Sequence, residues 1–365
     1  MSERVIGLAL SGGGSRAAAF HLGCLRALHD RDLLRRVRVV SGISGGSLLA
    51  ALWAYGPRDF VEFDEATVGL LRRGLQTAII RRALQPAALR RGVIAAGAAV
   101  ASSVRGRHRR VAIRGASRTD ALVSALADIA FGNRTMGDVT HQGLEVVLTA
   151  TDLRTSNAIR FGSARSSCSR YGSIIEPVPV AMAVAASAAY PLLLPAIERT
   201  FTFERDGHQR EESVLLSDGG IYDNLGLSVL ESGRSAAFTP HVYELPYIVS
   251  CDAGRGELQP RSPHFLPWRV ARAFDVVHRR AQDAGRARLH EWTATGRIRG
   301  GFVMAYLGMR DARLPVPVAD LVRRETVAGY GTNFSSMNQQ DLNHLATRGE
   351  QLVRSLLPVY CPGLT

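Results

Sequence analysis

The sequence contains no lysine, so all 45 of its basic residues are arginine, and they exceed the acidic residues by 13. The excess lies in one place. Residues 66–119 hold twelve arginines and no acidic residue, whereas the rest of the chain holds 33 basic and 32 acidic residues. The excess positive charge therefore belongs to one segment and not to the whole surface.

Cysteines and long apolar runs are also scarce. The four cysteines lie far apart and do not have the spacing of metal ligands: Cys24, Cys168, Cys251 and Cys361. No stretch reaches the ~18 uncharged apolar residues that a membrane span requires. The first apolar run, residues 5–10, is too short for a secretory signal. We therefore expect a cytoplasmic protein with reduced thiols, at most peripheral at the inner membrane face.

The first 55 residues contain one pattern twice: an apolar strand, a tight glycine loop and a helix. The strands are residues 5–10 and 37–41, the loops 11–14 and 42–46, and the helices 15–30 and 47–55. This repetition predicts an α/β fold with a mostly parallel central sheet and helices on both faces. We expect a single domain over residues 1–365, with a basic helical insertion or lid at residues 57–118.

Hydrophobic patterning predicts further elements along the chain. The strands are expected at 144–151, 158–161, 214–217, 247–251 and 302–307, and the helices at 119–130, 180–189, 268–292 and 339–356.

The first glycine loop, Ser11-Gly12-Gly13-Gly14-Ser15-Arg16-Ala17, admits three interpretations. It could be a structural turn. It could bind a dinucleotide, but the second strand ends without the acidic residue that holds a ribose in such sites. It could be an oxyanion hole, in which backbone N–H groups at a helix N-terminus stabilise a tetrahedral intermediate. The loop taken alone leaves all three open.

The second loop, Gly42-Ile43-Ser44-Gly45-Gly46, fits the G-x-S-x-G pattern between a strand and a helix. This context is typical of a nucleophile elbow, because the flanking glycines permit the sharp turn that lifts the serine above the sheet. Ser44 is thus a candidate nucleophile. The alternative is that Ser44 only caps the helix, a role for which Ser47 is the better candidate.

A serine nucleophile needs a base. None of the late histidines, His241, His264, His278 and His290, lies in a context that marks it as that base. Asp218 follows an apolar strand and precedes Gly219 and Gly220, which leave room around its carboxylate. If both strands are parallel in one sheet, Asp218 and Ser44 face the same crevice. An ordinary Asp-Gly turn is the alternative, and Asp152, Asp223 and Asp252 are rival carboxylates.

Three motifs in order make the chain resemble the patatin-like phospholipase family: Gly12–Arg16, Gly42–Gly46 and Asp218-Gly219-Gly220. Ala17 departs from that family's glycine loop, where glycine is frequent. The resemblance implies a Ser44–Asp218 dyad without histidine, and an oxyanion hole formed by the N–H groups of Gly12, Gly13 and Gly14. Arg16 would brace the loop or attract an anionic head group; a solvated arginine in the first turn of the helix is the alternative. It implies no metal and no cofactor.

The expected activity is therefore hydrolysis of lipid acyl esters through an acyl-serine intermediate. The same intermediate could transfer its acyl group to an alcohol. A non-catalytic lipid-binding module and a nucleotide-binding enzyme are the alternatives from other classes.

The basic segment contains three similar blocks nine residues apart: Leu70–Arg73, Ile79–Arg82 and Ala88–Arg91. Its arginines, from Arg72 to Arg118, predict contact with an anionic membrane surface. A mobile lid and a solvated basic helical face are the alternatives. Nucleic-acid binding is disfavoured, because the segment has no aromatic residue on which bases could stack.

Overall fold

The computed structural model describes residues 5–83, 117–191, 193–257 and 262–365. Within them, ten strands form one sheet: β1 (Ile6–Leu10), β2 (Val37–Gly42), β3 (Glu145–Asp152), β4 (Asn157–Gly162), β5 (Ser167–Cys168), β6 (Gly172–Ile174), β7 (Ile197–Arg205), β8 (His208–Asp218), β9 (Tyr247–Asp252) and β10 (Gly301–Tyr306). The helices are α1 (Gly14–His29), α2 (Gly45–Tyr55), α3 (Phe60–Arg73), α4 (Gln76–Ala83), α5 (Arg118–Leu126), α6 (Val180–Ser187), α7 (Gly220–Asp223), α8 (Leu266–Ala294), α9 (Arg324–Ala328) and α10 (Gln339–Tyr360).

One half of the sheet is parallel, in the order β10-β9-β1-β2-β3. Its strands are buried and apolar, as expected of strands covered on both faces; all five residues of β1 are buried. Helices α1, α2 and α10 pack against one face. The second half of α8 and residues 225–245 cover the other face, with Leu289 and Trp292 in that core. The predicted helices on both faces are confirmed.

The other half of the sheet, β4 to β8, is antiparallel. The sheet is therefore mixed, and the prediction of a mostly parallel sheet is wrong. Antiparallel strands need only a tight turn between them, whereas parallel strands need a crossover. Such a turn joins β7 to β8 at Asp206 and Gly207, which both have positive φ (53° and 77°). An Asp-Gly pair between alternating segments is a hairpin signal, so this part of the mixed topology was readable from the sequence.

The last residues of β2 and β8 lie along the same side of β3. β2 runs parallel to β3 and its last residue, Gly42, pairs with Leu148. β8 runs antiparallel to β3, and therefore in the direction opposite to β2; its last residue, Asp218, pairs with Ala150. The carboxyl ends of the two strands consequently meet head to head, two residues apart in register. The loops that follow them share one edge of the sheet.

The described part of the predicted basic insertion consists of α3 and α4. Helix α3 is joined to α1 by a bidentate ion pair between Arg26 and Asp64, at 2.7 and 2.8 Å. The inner side of α3, including Phe63 and Leu70, is buried in the core. The third block, Ala88–Arg91, and the arginines at positions 105–114 lie outside the described residues. No helix within the described ranges combines the length and hydropathy needed to cross a membrane.

Candidate active site

Ser44 occupies the turn between β2 and α2 with φ 51° and ψ −116°, a conformation that is unfavourable for a residue with a side chain. The turn is tight because it packs directly on the first glycine loop. A Cβ atom on Gly45 would lie 2.1 Å from the Gly14 carbonyl oxygen, and one on Gly46 would lie 2.2 Å from the Leu10 carbonyl oxygen. Glycine is required at both positions, since any side chain would separate the two loops.

Ser44 does not act as a side-chain cap of α2, because its hydroxyl makes no capping hydrogen bond. Its backbone N–H donates to the Ser187 hydroxyl at 3.0 Å, and that hydroxyl donates to the Thr149 carbonyl at 2.6 Å. Ser47 lies inside α2, and its hydroxyl is 2.7 Å from the Ser187 hydroxyl. The prediction that Ser47 caps the helix is therefore wrong. Ser187 thus holds the turn to β3 and leaves the Ser44 hydroxyl available.

Asp218 lies at the carboxyl end of β8 and is only 4% exposed. Burial raises the pKa of its carboxyl group to about 6; hydrogen bonds from the Gly220 N–H and from the Ser44 hydroxyl act in the opposite direction. The Gly220 N–H donates to Oδ1 at 2.7 Å. A carboxylate with this pKa, in contact with a serine hydroxyl, is suited to accept a proton near neutral pH.

The first glycine loop contacts the turn that carries Ser44. Gly13 and Gly14 have positive φ (146° and 61°), and neither N–H has an acceptor among the described residues. The N–H of Gly12, in contrast, donates to the Asn224 carbonyl at 3.0 Å. In this structure the Gly12 N–H is therefore already hydrogen-bonded, which leaves Gly13 and Gly14 as the remaining candidate oxyanion donors.

Ala17 is fully buried, and its N–H donates to the Gly13 carbonyl. An ideal Cβ on Gly13 would lie 3.1 Å from the Ala17 Cβ. The departure from glycine at position 17 is thus compatible with the positive-φ turn of the loop.

Arg16 is almost fully buried beneath this loop. Its Nε donates to the Ala253 carbonyl at 3.1 Å, and its Nη1 donates to the Tyr330 carbonyl and the Thr332 hydroxyl, both at 2.9 Å. Burial, and then the charge of Arg255, lower the pKa of Arg16 to about 9. These contacts join the glycine loop to two distant loops. The bracing role and the contact with a head group both stay predictions.

The rival carboxylates are held by structural partners. Their contacts are as follows: Asp152 accepts from the Leu215 N–H and the Thr155 hydroxyl, Asp223 from the N–H groups of Leu225, Gly226 and Ser228, and Asp252 from the Arg286 guanidinium. Each of them shapes a loop or a helix contact. Asp218 is the carboxylate of this group that borders the cavity beside Ser44.

A cavity of about 520 Å³ opens in front of Ser44 and Asp218. Its floor is formed by the first glycine loop and by the turns that carry Ser44 and Asp218. Its walls are mainly apolar and include Ile79, Leu193, Leu194, Ile221, Phe274 and Phe334. A polar floor that holds reactive groups beneath apolar walls is the usual construction of a site for a largely apolar ligand.

Sequence reasoning set His278 aside, yet it lies in the wall of this cavity. Its Nε2 is 3.0 Å from the Gln282 side-chain nitrogen, its ring stacks near Phe274, and burial lowers its pKa. The one available signal was helical spacing: Phe274, His278, Gln282 and Gly285 recur every three or four residues on one side of α8.

A family model described as patatin-like phospholipase matches residues 8–230, more than half of the chain. The protein therefore belongs to the patatin-like phospholipase family, and the predicted resemblance is confirmed. The matched range contains both loops and Asp218.

Among characterised relatives, a patatin-like phospholipase domain-containing protein of Caenorhabditis elegans, ZK370.4, is 46% identical over 61 residues, which are 17% of this chain and 4% of that protein. Among solved structures, human GIVD cytosolic phospholipase A2 has a TM-score of 0.57 at 13% identity and covers 99% of this chain and 60% of its own. Its complex with methyl γ-linolenyl fluorophosphonate and terbium chloride has a TM-score of 0.55 at 12% identity, covering 99% and 59%. The chain thus spans about 60% of these structures, and the likeness to them shows the fold.

Proposed function

We propose that this protein hydrolyses acyl esters of lipids through a covalent acyl-Ser44 intermediate, with Asp218 as general base. The observation that carries the proposal is the head-to-head meeting of β2 and β8. It brings a strained serine and a buried carboxylate of raised pKa together at the floor of an apolar cavity. Family membership supports the same conclusion.

In the first half of the reaction, Ser44 Oγ attacks the ester carbonyl carbon while Asp218 accepts the hydroxyl proton. The carbonyl oxygen becomes an oxyanion, which the N–H groups of Gly13 and Gly14 at the N-terminus of α1 would stabilise. The tetrahedral intermediate then collapses. The bond to the alcohol oxygen breaks, the alcohol leaves with the proton held by Asp218, and the acyl group remains on Ser44.

In the second half, Asp218 accepts a proton from water, which attacks the acyl-Ser44 carbonyl. Collapse of this intermediate breaks the bond to Ser44 Oγ and releases the fatty acid, and the proton returns to the serine. No metal ion or cofactor enters either step. An alcohol in place of water would give acyl transfer, which product analysis with an added alcohol detects.

The apolar walls suggest which part of the substrate occupies the cavity. Leu193, Leu194 and Phe274 provide contact surface for an acyl chain, and each buried methylene contributes roughly 0.8 kcal/mol. The ester carbonyl would then lie at the polar floor beside Ser44. We therefore expect hydrolysis to favour medium or long chains over acetyl esters.

The test compares hydrolysis of nitrophenyl esters by the wild type, Ser44→Ala, Asp218→Asn and the double variant. Each single substitution should lower kcat by at least about 1,000-fold, with little further loss in the double variant, because the two groups act as a unit. Asp275→Asn is the matched control, since Asp275 is another carboxylate at the cavity. Full activity of Asp218→Asn would refute the dyad, and a folded wild type inactive on every ester would favour a lipid-binding module.

Contact between the basic segment and an anionic membrane also stays a proposal. In the described part, Arg72, Arg73, Arg81 and Arg118 are exposed. Each such residue near an anionic surface can contribute roughly 1 kcal/mol. Sedimentation with anionic and with neutral vesicles tests it, since equal binding to both would remove the electrostatic contribution.

A further inference from the structure

The N-terminal half of α8 lies at the surface of the protein. No residue from Leu266 to Arg280 is buried, whereas Gln282, Gly285, Leu289 and Trp292 anchor the second half. Eighteen large apolar side chains are exposed in the described residues, and six of them fall between positions 265 and 277: Phe265, Leu266, Trp268, Val270, Val276 and Val277. A third of the exposed apolar side chains is thus concentrated in thirteen residues.

These side chains include an ordered stripe. Leu266, Val270, Ala273 and Val277 are separated by four, three and four residues, which places them on one face of the helix. A stripe of this kind normally packs on a core. Here the described residues leave it uncovered: Leu266 is 66% exposed, and Val277 is 68% exposed. An uncovered apolar face of this extent marks a surface that contacts something else.

The charges beside the stripe indicate an anionic partner. Arg269 and Arg280 are exposed and lie one helical turn from stripe residues. The single acidic residue of this half-helix, Asp275, lies on the side that faces the cavity. An apolar stripe flanked by arginine is the composition of helices that lie in the interface of an anionic bilayer.

The position of the stripe favours a lipid surface over a protein partner. Phe274 lies four residues from Val270 and three from Val277, so it borders the stripe on the helix surface. It also lines the cavity, as do Ile80 and Leu193, which are 51% and 43% exposed. Apolar surface therefore extends from the outer face of α8 through Phe274 to the cavity. An acyl chain that left a bilayer along this path would remain in contact with apolar groups.

We infer that the stripe formed by Leu266, Val270, Ala273 and Val277, with Arg269 and Arg280, seats the protein on an anionic lipid bilayer so that the cavity mouth faces the lipid. This surface is different from the basic segment at residues 72–118. The direction of lipid transfer rests on the proposed function, but the binding surface itself can be tested without catalysis.

The experiment measures co-sedimentation with vesicles of phosphatidylcholine, with and without phosphatidylglycerol, using the full chain with Ser44→Ala so that no lipid is hydrolysed. Val270→Asp with Val277→Asp should weaken binding to anionic vesicles at least tenfold. Arg269→Gln with Arg280→Gln should weaken binding to anionic vesicles and leave binding to neutral vesicles unchanged. Val61→Asp, at a similarly exposed valine on α3, is the control and should bind as the parent does.

Several outcomes would overturn the inference. They are absence of vesicle binding by the parent protein, unchanged binding by the stripe variant, and loss of binding only in a comparison variant with Arg72→Gln and Arg73→Gln. A parent dimer that the stripe variant converts to monomer, with vesicle binding intact, would assign the stripe to a second copy of the chain. Thermal unfolding of each variant establishes that it is folded.

Hydrolysis of a soluble short-chain ester separates this inference from the proposed function. With Ser44 intact, the stripe variant should retain wild-type activity on that ester and lose activity on vesicles. If the wild type hydrolyses nothing while vesicle binding still depends on the stripe, the proposed function fails and the docking surface stands.

Discussion

The two halves of the sheet contribute to the site in different ways. The parallel half provides Ser44 and the glycine loop. Both lie on strand–loop–helix units whose sharp turns are permitted by adjacent glycines. The antiparallel half provides Asp218, at the end of a strand whose direction is set by its pairing with β3. The proposed nucleophile, Ser44, is therefore positioned mainly by local backbone geometry, whereas the proposed base, Asp218, is positioned by a contact between segments distant in the chain.

The contact between the two loops of the parallel half should be the most sensitive feature. Gly45→Ala would place a Cβ 2.1 Å from the Gly14 carbonyl, so the glycine loop must move away from Ser44. We expect kcat/KM to fall at least about 100-fold, since small displacements of reacting groups have such effects. Gly69→Ala, in α3 with open space around it, should leave ester hydrolysis unchanged. Equal losses of kcat/KM in the Gly45 and Gly69 variants would show that the contact between the two loops is not the cause.

The antiparallel half should set the pH dependence. Asp218 must be ionised to accept a proton, and its pKa is about 6. Activity should consequently fall about tenfold per pH unit below pH 6 and level off above it. A pH profile of kcat/KM on a neutral ester measures this limb. A plateau that extends to pH 4 would mean that the ionised carboxylate is not the base.

The same carboxylate should reduce stability. Because its folded pKa is raised from 3.8 to about 6, the folded state binds the proton more tightly than the unfolded state. The stabilisation that this bound proton gives the folded state is complete below pH 3.8 and is lost as the pH rises through 6. Asp218→Asn should therefore stabilise the protein above pH 6, by up to about 3 kcal/mol at 1.36 kcal/mol per unit, with no gain near pH 3.8. Denaturant unfolding at both pH values checks this, and an equal effect at both would point to packing instead.

The smallest effect is expected from substitution of His278, a residue of α8 that lines the cavity. Its pKa is lowered by burial, and it contacts Gln282 and Phe274 rather than Ser44. His278→Asn should change kcat/KM by less than about tenfold and leave the acidic limb of the pH profile in place. A loss as large as that of Asp218→Asn would instead assign the base to this histidine.

Much of the fold was predictable from local patterns. The strands around the two glycine loops and the long helices α8 and α10 lie within a few residues of their predicted positions, because their periodicity is strong. The hairpin of β7 and β8 was missed, although Asp206-Gly207 signals it. The role of Ser187 could not be predicted, since a serine inside an apolar helix does not indicate which backbone atoms it will bind.

The amino-acid sequence by itself determined the local features of this protein: where the chain turns sharply, which turns require glycine, and which serine stands at such a turn. These follow from steric limits on neighbouring residues. The tertiary structure decided which groups meet. It placed Asp218 opposite Ser44 through the pairing of β8 with β3, occupied the Gly12 N–H with Asn224, and brought His278 to the cavity. Contacts of this kind join segments far apart in the chain, and no local pattern encodes their partners.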